Sequence, residues 1–237
     1  MRSPVTLAPE RCDQMRNLNS QKVPVPTLER LATYLTALAE MSDRSVQTIS
    51  SSDIEMLTGI NAAQFRKDLS YFGEFGRPGI GYDVEELRSR LAKILKVSRT
   101  QPVLLVGAGN LGSALVGYPG LRAQNFHIVA VFDNNYNKIG RRLWDLEIRD
   151  VADMAAANRE LQARIGIIAV PSNAAQEVAG RLVEAGVRAI LNFAPAPLKV
   201  PADVVVRNVD FVQELAVLAF HLSEEEEADP ELVRGIL

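Results

Sequence analysis

Apolar residues recur with helical spacing near the start of the chain. Between Thr27 and Ala39 they occur every three or four positions, which predicts a helix with one apolar face. A second, short helix is predicted to begin at Ser52, because Ser52 and Glu55 have the spacing of a capping box. It is predicted to end at Gly59, since glycine adopts the left-handed conformation that closes many helices.

A third helix is predicted over residues 62–72, with Asn61 as its N-cap. Phe65, Leu69 and Phe72 fall on one side of this helix and are expected to face the core. Its outer faces contain basic and polar side chains. These are Gln64, Arg66, Lys67, Ser70 and Tyr71.

Two short helices joined by a Gly-containing turn, the second of them basic on its outer side, are typical of a helix-turn-helix. Four glycines among residues 73–82 favour a tight β-ribbon with Arg77 at its tip, and another helical pattern follows. This order predicts a winged-helix domain over residues 23–99, preceded by a polar leader of residues 1–22.

In such a domain the third helix lies in the major groove of DNA. Arg66, Lys67 and Ser70 are then expected to reach bases or phosphates. Arg77 is expected to reach the adjacent backbone or minor groove. The sequence therefore predicts double-stranded DNA as a partner of this half of the chain.

An alternative interpretation is a three-helix packing or dimerisation domain whose outer Arg and Lys side chains are merely solvated. Asp68 and Glu74, next to the basic positions, count against DNA binding, whereas the Gly-rich ribbon favours it. The formal net charge of −3 and the sequence pI of about 5.6 neither suggest nor exclude a nucleic-acid partner. Any basic surface must be local.

From residue 101 to residue 208, runs of β-branched residues alternate with helical stretches, which predicts a Rossmann-type doubly wound parallel sheet over residues 100–208. An apolar strand at residues 103–106 leads directly into Gly-Ala-Gly-Asn-Leu-Gly at 107–112. The next strand ends in Asp133, 21 residues beyond Gly112. At that spacing an acid accepts hydrogen bonds from an adenosine ribose, so a dinucleotide is predicted here.

Backbone geometry explains why each of these three positions is glycine. Gly107 allows the tight turn, Gly109 lets the backbone approach a pyrophosphate, and Gly112 lets helix and strand pack closely. Asp133 is followed by two asparagines rather than an arginine, which disfavours a 2′-phosphate and predicts NAD(H) rather than NADP(H). The alternative is a glycine turn that binds no ligand.

Two later strands are predicted to end beside the same crevice, because ligands of doubly wound sheets lie outside the carboxyl ends of the strands. One runs into Val170 and Pro171, and the other into Asn192, Phe193 and Ala194. These residues are expected to line the nicotinamide side of the site. Alternatively, both are ordinary turns at the ends of strands.

Composition excludes several classes of function. With 47% hydrophobic and 23% charged residues the chain is an ordinary globular protein, and its single cysteine cannot form an intrachain disulfide. The chain has only two histidines, which offer little for catalysis, and no Cys/His spacing suggests a metal site. A Tyr-x-x-x-Lys motif is also absent, because Tyr118 is followed by Arg122 at the position where the motif needs lysine. The sequence predicts no catalytic residue, so the cofactor is a ligand rather than a reagent. With no signal peptide or apolar run of membrane-spanning length, a cytoplasmic location is expected.

The last predicted helix covers residues 209–222 and is apolar on more than one face. Such a helix must be buried, and a second copy of the chain is the economical place, because winged helices usually bind two-fold operators as dimers. The alternative is a core helix within one chain. An acidic tail is predicted over residues 223–237.

At this point the chain resembles the redox-sensing transcriptional repressor family known as Rex. The resemblance covers residues 22–222 and rests on four segments: 66–76 (RKDLSYFGEFG), 106–112 (VGAGNLG), 192–195 (NFAP) and 209–211 (VDF). It implies a homodimer with N-terminal winged helices, C-terminal Rossmann domains and a swapped C-terminal helix. Family members repress respiration and fermentation genes and release operator DNA when NADH replaces NAD.

The resemblance also implies site residues. Tyr118, Asp210 and Phe211 match positions near the nicotinamide pocket and the swapped helix. The predicted NAD(H)-binding residues are Gly107, Ala108, Gly109, Asn110, Leu111, Gly112, Tyr118, Asp133, Lys138, Val170, Pro171, Asn192, Phe193, Ala194, Asp210 and Phe211. The predicted DNA-binding residues are Gln64, Arg66, Lys67, Ser70, Tyr71 and Arg77.

Two departures from the family pattern matter. The ribbon usually contains adjacent basic residues, whereas here Arg77 is followed by Pro78. The stretch from Asn134 to Lys138 lacks the expected second acid and proline. The sequence thus predicts an NADH-responsive repressor; the alternatives are an NAD-dependent oxidoreductase with an N-terminal regulatory domain and a nucleotide- or coenzyme-A-binding adaptor.

Overall fold

A computed structural model describes residues 23–77 and 79–228 of the 237-residue chain. The chain divides into two compact units, and the division lies between Arg99 and Thr100. The predicted leader and the last nine residues of the predicted acidic tail lie outside the described residues. Each unit has its own hydrophobic core.

The N-terminal unit is a winged helix. Its elements are α1 (Val25–Asp43), β1 (Thr48–Ile49), α2 (Ser51–Thr58), α3 (Ala62–Ser70), β2 (Tyr82–Asp83) and α4 (Val84–Ile94). Strands β1 and β2 pair antiparallel, and a bridge between Arg77 and Gly81 closes the ribbon that forms the wing. The predicted arrangement of helices and ribbon is therefore confirmed.

Three aromatic rings connect the elements of this unit. Phe65 of α3 is fully buried, and its ring lies edge-on to Tyr34 of α1 at a centroid distance of 4.9 Å and to Tyr82 of β2 at 5.2 Å. Leu69 is also buried, and Phe72 packs against the same core. The predicted inner face of α3 is confirmed, and its outer face is fixed as a consequence.

The capping box of α2 lies two residues earlier than predicted. Ser50, not Ser52, is the N-cap: its hydroxyl accepts from the backbone N–H of Asp53, whose carboxylate accepts from the N–H of Ser50. The sequence offers two serine–acid pairs with this spacing, Ser50 with Asp53 and Ser52 with Glu55, and the folded chain uses the earlier one. Helix α3 also ends earlier, at Ser70, because the chain turns at Tyr71 before Gly73, which has φ +108°.

The C-terminal unit contains a seven-stranded sheet with helices between the strands. The strands are β3 (Gln101–Val106), β4 (Phe126–Asp133), β5 (Arg142–Leu143), β6 (Leu146–Asp150), β7 (Ile165–Ile168), β8 (Ala189–Asn192) and β9 (Val205–Asn208). The helices are α5 (Asn110–Val116), α6 (Pro119–Ala123), α7 (Met154–Leu161), α8 (Ser172–Glu184) and α9 (Phe211–Ala228).

The sheet order is β5-β6-β4-β3-β7-β8-β9. All neighbouring strands are parallel except the edge pair β5 and β6. Both faces are covered, because alternate residues of β3 belong to different clusters: Leu104 and Val106 to one, Val103 and Leu105 to the other. This confirms the doubly wound parallel sheet.

Helix α9 is longer than predicted, and its side chains from Phe211 to Leu222 are exposed in the described part of the chain. It begins after Asp210, whose carboxylate accepts from the backbone N–H groups of Val212 and Gln213, and it continues to Ala228, six residues into the segment predicted as a tail. Glutamates are good helix formers, which explains the extension. The exposure of these apolar side chains excludes the alternative of a core helix within one chain. Across the described parts of the chain, every helix falls short of the length and apolar character that a bilayer span requires.

Candidate functional site

The strand order of the C-terminal sheet reverses between β3 and β7. The chain leaves β3 towards β4 on one side, whereas β7 begins the other half of the sheet on the opposite side. At such a switch point the two connections diverge and leave a crevice outside the carboxyl ends of the strands. The Gly107–Gly112 segment follows β3 at this point, and Val170 and Pro171 follow β7.

The three glycines of this segment differ in what surrounds them. Gly107 has φ +108°, and a Cβ there would overlap the carbonyl oxygen of Ala169; a Cβ at Gly112 would overlap the carbonyl oxygen of Gly107. These two glycines therefore allow the tight turn and the close packing that were predicted. A Cβ at Gly109 would meet nothing within 4 Å, so this residue faces open space where α5 begins.

Asp133 ends β4 beside the glycine turn and is 7% exposed. Its Oδ2 accepts from the N–H of Ala108 at 2.8 Å and from Lys138 Nζ at 3.0 Å, and its Oδ1 accepts from the N–H of Asn135 at 2.8 Å. Burial alone would raise the pKa of this carboxyl, but the two backbone donors and Lys138 outweigh it, and the pKa lies below its ordinary value. An ionised acid is thus held against the turn.

Asn192, at the end of β8, is fully buried. Its side-chain N–H groups donate to the carbonyls of Ala194 and Ala196 and to the side-chain oxygen of Asn208, and its own oxygen accepts from the N–H of Ala194. Every polar atom of this side chain is therefore committed to the turn. We expect its contribution to the site to be the placement of Phe193 and Ala194 rather than direct contact.

Two aromatic residues from distant parts of the sequence meet next to this turn. The rings of Phe193 and Phe211 lie 6.2 Å apart between centroids, and Asp210 caps the helix that Phe211 begins. Tyr118, the N-cap of α6, has an exposed ring that lies over Gly120.

Trp144 was not singled out from the sequence. It lies at the tip of the β5–β6 hairpin with φ +56°, and its indole N–H donates to the carbonyl of Ser113 in α5 at 3.1 Å. A Cβ on Gly117 would overlap its ring. The hairpin is therefore attached to the helix that follows the glycine turn. The only sequence signal for this contact is the glycine at position 117, directly after α5.

Two basic residues of the N-terminal unit line one cleft. Arg66 and Arg77 are exposed and line a cleft of about 470 Å³ together with Ser50 and Ser51 at the start of α2. Arg66 also donates to the hydroxyl of Ser51 at 2.7 Å. Because helix N-termini and guanidinium groups both attract anions, the cleft has the chemistry of a phosphate-binding surface.

The other predicted DNA contacts lie on or next to α3. Lys67 and Ser70 are exposed, Tyr71 is half-buried, and the hydroxyl of Ser70 donates to the carbonyl of Lys67. Gln64 is half-buried, and its side-chain N–H donates to Asp68 at 2.9 Å.

Asp68 does not belong to the outer surface, although the sequence suggested that it counted against DNA binding. It is fully buried and accepts from Arg30, Thr27, Tyr34 and Gln64. Burial would raise the pKa of this carboxyl, but the hydrogen bonds and the charge of Arg30 lower it. Its negative charge is thus neutralised inside the unit.

Two family models match the chain. One, described as a CoA binding domain, covers residues 98–196. The other, described as a putative DNA-binding protein N-terminus, covers residues 22–70. The two matches fall on the two structural units.

Two relatives are similar to the chain over most of their length. The chain is 48% identical over 201 residues to the redox-sensing transcriptional repressor Rex of Carboxydothermus hydrogenoformans, which covers 85% of this chain and 97% of that protein. It is 46% identical to Rex of Desulforamulus reducens, over 88% and 100% of the two chains. The chain belongs to the Rex family.

Solved structures of the Rex family agree with this assignment. One is a crystal structure of RSP in complex with β-NAD⁺ and operator DNA, which is 37% identical with a TM-score of 0.81. The match covers 92% of this chain and 100% of that chain. RSP in complex with β-NADH has a TM-score of 0.77 at the same identity, over 87% and 97% of the two chains. Both units of this Rex-family chain thus lie within the match.

Proposed function

We propose that this protein is a redox-sensing transcriptional repressor that binds operator DNA as a homodimer and releases it when NADH binds. The observation that supports this most directly is the likeness to RSP bound to β-NAD⁺ and operator DNA, which extends over 92% of the chain. The relatives have regulatory names, which supports the proposal that this chain is not an enzyme.

The coenzyme is proposed to lie in the crevice at the switch point. The open space at Gly109 is where a pyrophosphate would approach the backbone, next to the N–H groups of Asn110, Leu111 and Gly112 in the first turn of α5. The residues present at this turn fit a pyrophosphate group. Asp133 is proposed to accept from the adenosine ribose, which favours NAD(H) over NADP(H).

The nicotinamide end is proposed to lie near the turns after β7 and β8. Val170 and Pro171 follow one strand, and Phe193 and Ala194 follow the other. Tyr118, Asp210 and Phe211 complete the proposed set. NAD and NADH share the adenosine half, so only this end can distinguish them.

The DNA surface is proposed to consist of the outer side of α3 and the wing. Arg66, Lys67, Ser70 and Tyr71 would contact bases and phosphates, and Arg77 would contact the neighbouring backbone. The burial of Asp68 supports this proposal, because it removes an acid from the surface. A DNA target also supports a cytoplasmic location.

NADH can release DNA only through a difference in its affinity for the DNA-bound and free conformations of the repressor. We propose that α9 couples the two copies. It exposes seven large apolar side chains, which supports burial against a second copy: Phe211, Val212, Leu215, Val217, Leu218, Phe220 and Leu222. The swapped position of this helix in the dimer belongs to the same proposal.

The test is fluorescence anisotropy with a duplex selected by the full-length protein, titrated separately with NAD⁺, NADH and coenzyme A. We expect NADH to release the duplex at concentrations where the other two do not. Gly109→Val should keep DNA affinity but abolish release, because its side chain would occupy the space of the pyrophosphate.

Gly180→Val is the matched control, because a Cβ at Gly180 also meets nothing within 4 Å but lies in α8. It should release DNA as the wild type does. Release by coenzyme A would favour the adaptor, turnover of a small substrate would favour the oxidoreductase, and no response to NADH would refute the proposal.

A further inference from the structure

Asp68 is the most densely bonded side chain of the N-terminal unit. Arg30 donates to both of its oxygens, at 2.6 and 2.7 Å, Tyr34 donates at 3.0 Å, and Thr27 donates at 3.3 Å. These three donors belong to α1. The carboxylate therefore joins α1 to α3 from a position with no solvent access.

The fifth hydrogen bond comes from α3 itself. Gln64 Nε2 lies 2.9 Å from Asp68 Oδ1, one helical turn earlier. Unlike Thr27 and Tyr34, which are buried, Gln64 is half-buried, as Arg30 is, and it is the third residue of α3. In helix-turn-helix proteins the first residues of the recognition helix contact base edges.

The chemistry of an ionised carboxylate determines which end of the Gln64 amide faces it. A carboxylate only accepts hydrogen bonds, so the NH₂ group must point to Asp68. The carbonyl oxygen and the second N–H of Gln64 are then left for an outside partner. An acceptor and a donor side by side match N6 and N7 of adenine in the major groove.

We propose that Asp68 is a positioning residue that fixes the amide orientation of Gln64, so that Gln64 recognises an adenine in the operator. This inference depends on the proposed DNA-binding function and adds to it a source of base preference. Asp68 does not touch DNA in this account. Its substitution should therefore change base preference without removing a phosphate contact.

The experiment uses full-length protein and a randomised duplex library to select a site, followed by anisotropy with duplexes in which each A·T pair is replaced by G·C. We expect one A·T pair in each half-site at which the wild type prefers adenine by about tenfold. Gln64→Ala should abolish this preference. Asp68→Asn should abolish it as well, because an amide at position 68 can either donate or accept and lets Gln64 rotate.

Tyr34→Phe is the matched control. It removes a buried hydrogen bond to the same carboxylate but leaves the contact with Gln64 in place. It should lower stability and retain the tenfold preference. The double variant with Gln64→Ala and Asp68→Asn should lose no more preference than either single variant.

The outcomes separate this inference from the proposed function. Unchanged base preference in Gln64→Ala or in Asp68→Asn, with specific DNA binding intact, would overturn the inference alone. Failure of the wild type to select any duplex would overturn both. Loss of the preference in Tyr34→Phe would reduce Asp68 to a structural residue and also overturn the inference.

A second measurement applies if Asp68→Asn does not fold. In ¹⁵N spectra of free full-length protein, one proton of the side-chain NH₂ of Gln64 should be protected from exchange with solvent. The signal is assigned by its loss in Gln64→Ala. A freely exchanging NH₂ group would contradict a fixed orientation.

Discussion

Asp68 in the N-terminal unit and Asp133 in the C-terminal unit are two ionised carboxylates withdrawn from solvent, but they are held in different ways. Asp68 is bonded by side chains alone, most of them from a helix about forty residues earlier. Asp133 is bonded by the backbone N–H groups of Ala108, which lies 25 residues earlier, and Asn135, and by the side chain of Lys138. The first carboxylate depends on the assembly of two helices, and the second depends on a turn.

This difference determines what each site can tolerate. Removing the side chain of Lys138 leaves the two backbone donors to Asp133 in place, so the carboxylate stays partly satisfied. Asp68 has no backbone donor in the described contacts, so removal of Arg30 leaves a buried charge. The acid beside the glycine turn is thus supported partly by the backbone, and the acid between two helices is supported by side chains.

The largest effect is expected from Arg30→Met. The substitution removes the bidentate ion pair of a carboxylate with no solvent access, which costs about 3 kcal/mol of unfolding free energy. Urea denaturation of the full chain measures this loss. A loss of unfolding free energy below about 1 kcal/mol would show that the remaining donors are enough to stabilise the Asp68 carboxylate. Asp68 and Asp133 would then not differ in their dependence on a basic side chain.

The next effect concerns ligand affinity rather than stability. Asp133→Ala should weaken NADH binding by more than about tenfold, or about 1.4 kcal/mol, because the ribose loses its acceptor. Isothermal titration calorimetry measures the affinity, and Asp203→Ala, an exposed acid whose ion pair is with Arg188, is the control. An unchanged titration would remove Asp133 from the binding site.

Lys138→Met is the counterpart of Arg30→Met in the other unit. The lysine is 37% exposed, and Asp133 keeps its two backbone donors, so the expected loss of unfolding free energy is only about 0.5 kcal/mol. The same urea experiment compares the two variants. Equal losses would contradict the distinction between an acid with backbone donors and an acid bonded by side chains alone.

The smallest effect is expected at the acid end of the stability profile of this last variant. In the wild type the pKa of Asp133 is lowered, so its contribution is present above the ordinary aspartate pKa of about 4 and is lost as the pH falls through the folded value. Without Lys138 that pKa should rise but remain below the ordinary value, because Asn135 and Ala108 still donate. Urea midpoints between pH 5 and pH 3 should therefore fall less in Lys138→Met than in the wild type, since the loss is complete at a higher pH; a larger fall in the variant would contradict this account.

Features encoded by local spacing were predictable. The alternation of strands and helices gave the sheet, and the glycines with Asp133 located the switch point, because backbone sterics and strand–turn–helix geometry are local. The inner face of α3 followed from the period of Phe65 and Leu69. The position of α9 outside its own core followed from its apolar residues.

Features that depend on distant partners were not predictable. Asp68 looked like a surface acid because its main partners lie on another helix. The hydrogen bond between Asn192 and Asn208 could not be predicted either, because nothing in the sequence shows that the two side chains meet. The cap of α2 was misplaced because two overlapping serine–acid spacings satisfy the same rule, and only the folded backbone selects Ser50.

The attachment of the β5–β6 hairpin to α5 has a practical consequence. Trp144 is the single tryptophan of the chain, and its indole is bonded to the helix that begins at the glycine turn. Intrinsic emission therefore comes from one known place beside the proposed coenzyme pocket. Without any label, the fluorescence of Trp144 can therefore report coenzyme binding in this pocket.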